Sequence, residues 1–126
     1  MAEIYVGVDV SKDWLDVAWA DQRPARRCEN LQTPVQQLAR ELADQKPTLI
    51  VLEATGGYEI RVAAARGSAG LPVVVVNARQ IREYARATGQ IAKTDRLDAR
   101  VIALFGEAVR PAVRPLPDEQ AQQLGE

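Results

Sequence analysis

IYVGVDVSKDWLDVAWA, residues 4–20, decides how this chain folds. In its first half Ile4, Val6 and Val8 alternate with Tyr5, Gly7 and Asp9, the period-two signature of a strand, so Asp9 projects from the face it shares with Gly7. Its second half, Trp14 to Ala20, predicts another strand, close enough to pair with the first as a hairpin through Ser11, Lys12 and Asp13. Trp14 and Trp19 belong to opposite faces of that second strand, so at most one is core and the other is a candidate contact surface, with packing favoured for each.

Downstream, RPARRCENLQ (23–32) reads poorly as a core strand, and any third strand there is an edge strand. Thr33 is a good helix cap with Pro34 behind it, and Val35, Leu38 and Leu42 supply the apolar seam of a helix to Gln45, ended by Pro47. TLIVLE (48–53) is a continuous apolar run of the kind buried on both faces of a parallel sheet, with Glu53 at its carboxyl end. A short helix from about Tyr58 to Arg66, a stop at Gly67 and Gly70, and PVVVVN (72–77) add a strand–helix–strand unit. The order is α/β, with ligands expected at the carboxyl ends of the central strands. Asn77 is placed to cap a helix running to about Thr88, on which Arg79, Arg82 and Arg86 share one face. After a loop from Gly89 to Lys93, Thr94 is placed to cap a last helix with Leu97, Val101, Leu104, Phe105 and Ala108 as its core stripe.

The 126 residues amount to one domain, long enough to bury its own core. An apolar fraction of 47% against 26% charged is ordinary for a soluble globular protein, and no apolar run reaches membrane-spanning length. Glu3 and Asp9 interrupt the N-terminus where a secretory signal would need an apolar stretch. Cys28 is the one cysteine, which excludes an internal disulfide and fits a reducing cytoplasm. The formal charge of −1 is unevenly spread: residues 1–60 carry six basic and ten acidic side chains, whereas residues 61–114 carry ten basic and four acidic. A basic central segment beside an acidic cluster is what a metal-assisted nuclease-like site needs, with carboxylates for ions and arginines for a polyanion.

Asp9, Glu53, Asp95 and Asp98 each stand at the end of an apolar stretch or the start of a helix, where they can gather around metal. Oxygen ligands in a chain without histidine favour Mg²⁺ or Mn²⁺ over zinc, and the same absence removes Ser–His and Cys–His nucleophiles. Two such ions activate an attacking oxygen and steady the leaving one at a phosphodiester without a protein general base. On one helix, Asp95 and Asp98 at i and i+3 have β-carbons about 5–6 Å apart, a separation that suits one site. The competing reading makes Asp95 a partner of the helix dipole and Asp98 a solvated residue; the place of Asp98 beside the core stripe favours the metal reading. Arg79, Arg82, Arg86, Lys93, Arg96 and Arg100 are the candidate phosphate contacts, which position a polymer without reading its sequence. Gly56 and Gly57 lack the lysine and spacing of a phosphate loop and read as a tight turn, with Tyr58 beside them a candidate for base stacking that is more often partly buried.

GVDVSK (7–12), LEATGGYE (52–59) and NARQIREYARATGQIAKTDRLDARVIALFGE (77–107) resemble, in order and spacing, the N-terminal RuvC-like domain of the DEDD transposases, insertion-sequence recombinases that include the Piv-type DNA invertases. The resemblance implies a ribonuclease-H-like fold, a mixed sheet with flanking helices, in which Asp9, Glu53, Asp95 and Asp98 are the DEDD acids holding Mg²⁺ or Mn²⁺. It implies DNA strand cleavage and exchange at insertion-sequence ends and target, chosen by a structured guide, the bridge RNA. It further implies a C-terminal domain whose serine attacks DNA, and a homo-oligomer with composite active sites. Residues 1–110 would then be the catalytic domain and 111–126 the start of a linker helix toward a second domain that this chain lacks. Ser11 and Ser68, the only serines, lie in no segment resembling the family's nucleophile motif, so the chain alone is not expected to complete recombination. Two departures are the arginine-rich residues 21–30 and the thin seam of Val62, Ala63 and Ala65.

Three rival readings stand beside this one. A free-standing RuvC-like junction resolvase would cleave branched DNA without a second domain. A non-catalytic RNA- or DNA-docking module would keep its affinity when Asp98 is replaced by asparagine. An actin-like phosphotransferase is disfavoured by the missing duplicate half and adenosine-binding glycines.

Overall fold

The computed structural model describes residues 3–21, 23–54, 70–91 and 97–111. The amino-terminal alternation becomes β1 (Tyr5–Val10), which returns as β2 (Trp14–Trp19). Their hairpin is tied by the Ser11 amide donating to the Trp14 carbonyl at 2.9 Å. The Ser11 hydroxyl donates to that carbonyl at 3.0 Å and accepts from the Trp14 amide at 3.3 Å, so this serine is occupied in forming the turn. The polar stretch yields β3 (Arg26–Glu29) at the sheet edge, as its composition predicts.

Helix α1 (Gln32–Gln45) begins upstream of the expected cap. Leu31, not Thr33, stands at its N-cap and makes no side-chain capping bond. Pro34 falls within the first turn, where N–H groups lack intrahelical partners anyway, so proline does not fix the starting residue. The helix ends as Lys46 turns left-handed (φ 52°) ahead of Pro47. β4 (Leu49–Ala54), β5 (Val73–Asn77), α2 (Ala78–Ala87) and α3 (Ala99–Val109) complete the described elements. The expected helix near 58–66, the Gly56–Gly57 turn, Tyr58, the Val62–Ala63–Ala65 seam, Ser68, Thr94 and the proposed linker beyond residue 111 lie outside the described residues.

The sheet runs β3-β2-β1-β4-β5, antiparallel from β1 through β2 to β3 and parallel from β1 through β4 to β5. It is the mixed sheet with flanking helices expected of a ribonuclease-H-like domain. On one face Val6, Val8, Leu15, Val17, Trp19, Ile50 and Leu52 pack beneath Val35, Leu38 and Leu42 of α1. On the other, Tyr5, Leu49, Val51, Val74 and Val76 pack beneath Ile81 of α2 and Val101, Ile102 and Phe105 of α3. Both faces of β4 are covered from Leu49 to Leu52, which is why that run is continuously apolar; each such side chain contributes about 1.5–3 kcal/mol by burial.

The last helix starts later than its periodicity implies. Leu97 and Asp98 are not helical, and Asp98 is the N-cap of α3 with extended backbone (φ −120°, ψ 170°). Its Oδ1 accepts from the Val101 amide at 2.9 Å, satisfying one of the orphan donors of the first turn. A short carboxylate competes well for such a position, so the capping bond ends the helix here and the i, i+3 argument for Asp95 and Asp98 on one helix does not apply. Val101 and Phe105 are buried as expected, Ile102, Ala103 and Gly106 join them, and Ala108 is exposed.

Candidate nucleic-acid and metal site

Strand register lines up four polar side chains. Asp9 of β1 faces Asp16 of β2, and Asp16 faces Arg27 of β3. The parallel ladder of β1 with β4 runs from Tyr5 beside Leu49 to Val8 beside Leu52, and one further step in that register sets Asp9 beside Glu53. Alternation puts Arg27, Asp16, Asp9 and Glu53 on the face that also carries Gly7 and Val51.

Helix α3 lies across this face. A Cβ on Gly7 would overlap the Ala99 carbonyl oxygen and the Ala103 amide nitrogen, so glycine is what lets the first helical turn rest on β1. At the far end, Arg110 stacks over the Tyr5 ring at 5.5 Å and approaches Glu3 at 3.4 Å. The helix therefore runs against β1, with its N-terminus toward the strand's carboxyl end. Asp98, immediately before Ala99, enters at that end, and Gly7 and Asp9 are about 6.7 Å apart along the strand.

Asp9, Glu53 and Asp98 are thus drawn toward one end of the central strands, two half-buried and the third exposed and committed by one oxygen to capping. Among the described residues no three acids converge on a single ion position, and Asp95 lies outside them. The donors present are hard carboxylate oxygens, a set that fits Mg²⁺ or Mn²⁺. Cys28 packs toward the core under α1, on the opposite face, and burial pushes its thiol up, so it offers no soft ligand here.

Sequence reading passed over Asp16 and Arg27. Arg27 donates through Nε to Asp16 Oδ1 at 2.7 Å and through Nη2 to Oδ2 at 3.2 Å. These bonds, then the charges of Asp16 and Asp9, hold the Arg27 guanidinium above its ordinary value. Facing carboxylates repel across a sheet, and this fork places a cation beside the pair. A turn over Ser11, Lys12 and Asp13 would set Asp9 opposite Leu15; the observed register, with Ser11 opposite Trp14 and only Lys12 and Asp13 between them, is what brings Asp9 to Asp16.

The predicted cations are placed differently from one another. Asn77 caps α2 as expected, its Oδ1 accepting from the Arg79 amide at 2.7 Å, so Arg79 sits in the first turn just beyond the carboxyl end of β5. Arg79 is exposed and 3.4 Å from Glu83. Arg82 is half-buried, and Arg86 is exposed about 10 Å along the helix from Arg79. Arg100 donates to the Asp21 carbonyl at 3.1 Å. Lys93 and Arg96 lie outside the described residues. Trp19 is buried and donates to Gln45 Oε1 at 2.8 Å, whereas Trp14, expected to pack, is 41% exposed.

Among the described residues no helix is long and apolar enough to cross a membrane. The sequence model of a DEDD family of the IS110 type, described as "Transposase", matches residues 6–126. Two curated relatives are pilin gene-inverting proteins, from Moraxella lacunata at 28% identity and from Moraxella bovis at 27%. Each match covers 95% of this chain and 39% of the relative, so the chain spans well under half the length of either.

Proposed function

The chain belongs to the IS110-type family of DEDD transposases, and from that membership we propose that it forms the metal-holding part of an enzyme that cuts and rejoins DNA. What supports this reading most is the parallel register of β1 with β4, which runs to Val8 beside Leu52 and leaves Asp9 and Glu53 as the next residue of each strand, together with the seating of α3 on Gly7 directly after Asp98. In this reading Asp9, Glu53 and Asp98, joined by Asp95, hold Mg²⁺ or Mn²⁺ at the carboxyl ends of β1 and β4. The bound ions supply Lewis-acid stabilisation of charge on a phosphodiester. Asp9 and Glu53 are fixed by a paired strand core, so the carboxylates need little reorganisation to meet an ion. Asp98 keeps its capping bond through Oδ1 and offers Oδ2. Arg79 and Arg86, with Arg82, Lys93, Arg96 and Arg100, hold the backbone of DNA or of a structured guide RNA. In this proposal a domain with the attacking serine lies beyond a linker that begins near residue 111, and the two act together in a homo-oligomer in the cytoplasm.

Iron-mapped cleavage tests the metal assignment. With Fe²⁺ in place of Mg²⁺, ascorbate and peroxide cut a polypeptide next to a bound ion, and the expected cuts fall near residues 9, 53 and 95–98. Cuts elsewhere, or cuts that persist at these positions in Asp9→Asn, would remove the assignment.

A further inference from the structure

Trp14 is the exposed aromatic among the described residues; Trp19, Tyr5 and Phe105 are buried and Tyr84 is half-buried. It opens β2 directly after the hairpin turn, on the same face as Asp16 and Asp9. Because Asp9 faces Asp16, Trp14 is the diagonal neighbour of Asp9, about 7–8 Å away between α-carbons. The indole is held from one side: the Arg27 guanidinium lies 5.2 Å from its centroid and is itself fixed by the fork to Asp16. An exposed, braced aromatic ring therefore stands one strand from the candidate metal acids.

We propose that Trp14, backed by Arg27, is a stacking platform for an unpaired base of the nucleic-acid strand held at those acids; this rests on the function proposed above. The charge around the ring selects the partner. Glu29 stands opposite it, Asp16 two residues along its strand and Asp9 on its diagonal, and the Arg27 cation is already engaged by Asp16, so the platform offers a π-face and not a phosphate grip. A base within duplex has both faces covered by its neighbours, whereas an unstacked base presents one to an aromatic ring. Base–aromatic stacking of this kind tolerates any sequence, which suits an enzyme whose sequence choice is made elsewhere.

The test is a titration of the chain, in magnesium buffer, with a fluorescent single-stranded oligothymidylate and with a duplex of the same length, followed by anisotropy and by tryptophan emission. Trp19 is buried, so the emission open to iodide quenching reports Trp14. The expected results are loss of that emission on binding the single strand, affinity roughly ten-fold lower in Trp14→Ala, and most affinity retained in Trp14→Phe. Single-strand binding that leaves the emission unchanged and is intact in Trp14→Ala, yet falls in Arg79→Gln/Arg86→Gln, overturns the platform and leaves the wider proposal standing. Binding of neither oligonucleotide by the wild-type chain overturns both.

Discussion

Asp98 caps α3 through one carboxylate oxygen, a role that asparagine fills as well as aspartate, whereas a metal ion needs the charge. Asp98→Asn is therefore expected to keep the melting temperature of the wild type and to lose metal affinity, while Asp98→Ala loses the affinity and also about 1 kcal/mol of stability, read by urea unfolding. Equal metal binding by a folded Asp98→Asn would return the residue to capping alone. A second residue-scale prediction concerns the fork beside Asp9. Arg27→Gln leaves Asp16 facing Asp9 without its cation, so the urea midpoint should fall at low salt, and adding Asp16→Asn should restore it. Unchanged midpoints would mean the row is solvated surface. At this scale Asp9 and Glu53 were legible, because alternation and a terminated apolar run show where a strand ends. The capping role of Asp98 was not, since Thr94 and Asp98 are both good caps and the apolar periodicity runs through either start. Trp14 was also misjudged: period two gives the face of a residue, but not whether a helix covers it.

Among the elements, the seating of α3 on β1 carries the site. Gly7→Ala puts a methyl group against backbone atoms of Ala99 and Ala103, which cannot swing aside as a side chain tip can. The expected cost is about 3 kcal/mol, the upper end for overpacking, with metal affinity lost as the α3 N-terminus moves off the strand. A Gly7→Ala chain with native stability and affinity would show that α3 is not held there. For α2, Arg79→Gln/Arg86→Gln should reduce the slope of log affinity for duplex DNA against log salt by about 1.8, the effect of two lost phosphate contacts. An unchanged slope would exclude both as phosphate contacts. Among the described elements, four strands and three helices were readable to within a few residues, since each is bounded by a turn, a proline or a cap, whereas β3 was readable only as the edge that any strand there would form. The start of α1 was not, because Leu31 offers no capping side chain and so no signal. The close contact of Gly7 with α3 was equally hidden, as it joins residues more than ninety positions apart.

For the molecule as a whole, the mixed sheet followed from a hairpin in front of two parallel crossover strands, an order that leaves β1 at the centre with antiparallel neighbours on one side and parallel ones on the other. That centre is where Asp9 lies, with Glu53 near the end of the neighbouring parallel strand and Asp98 at the start of the helix laid across β1. The proposed division of labour predicts that this chain alone yields no product in a strand-exchange assay; product would contradict the need for a serine from the rest of a longer protein. The central claim, that the four acids form one metal site, is tested most directly by calorimetric Mn²⁺ titration in the presence of an oligonucleotide. Wild type is compared with folded Asp9→Asn, Glu53→Gln, Asp95→Asn and Asp98→Asn. Saturable binding by the wild type that is lost or greatly weakened in every variant is the predicted result; binding that survives these substitutions, or a wild type that binds no Mn²⁺, would contradict it.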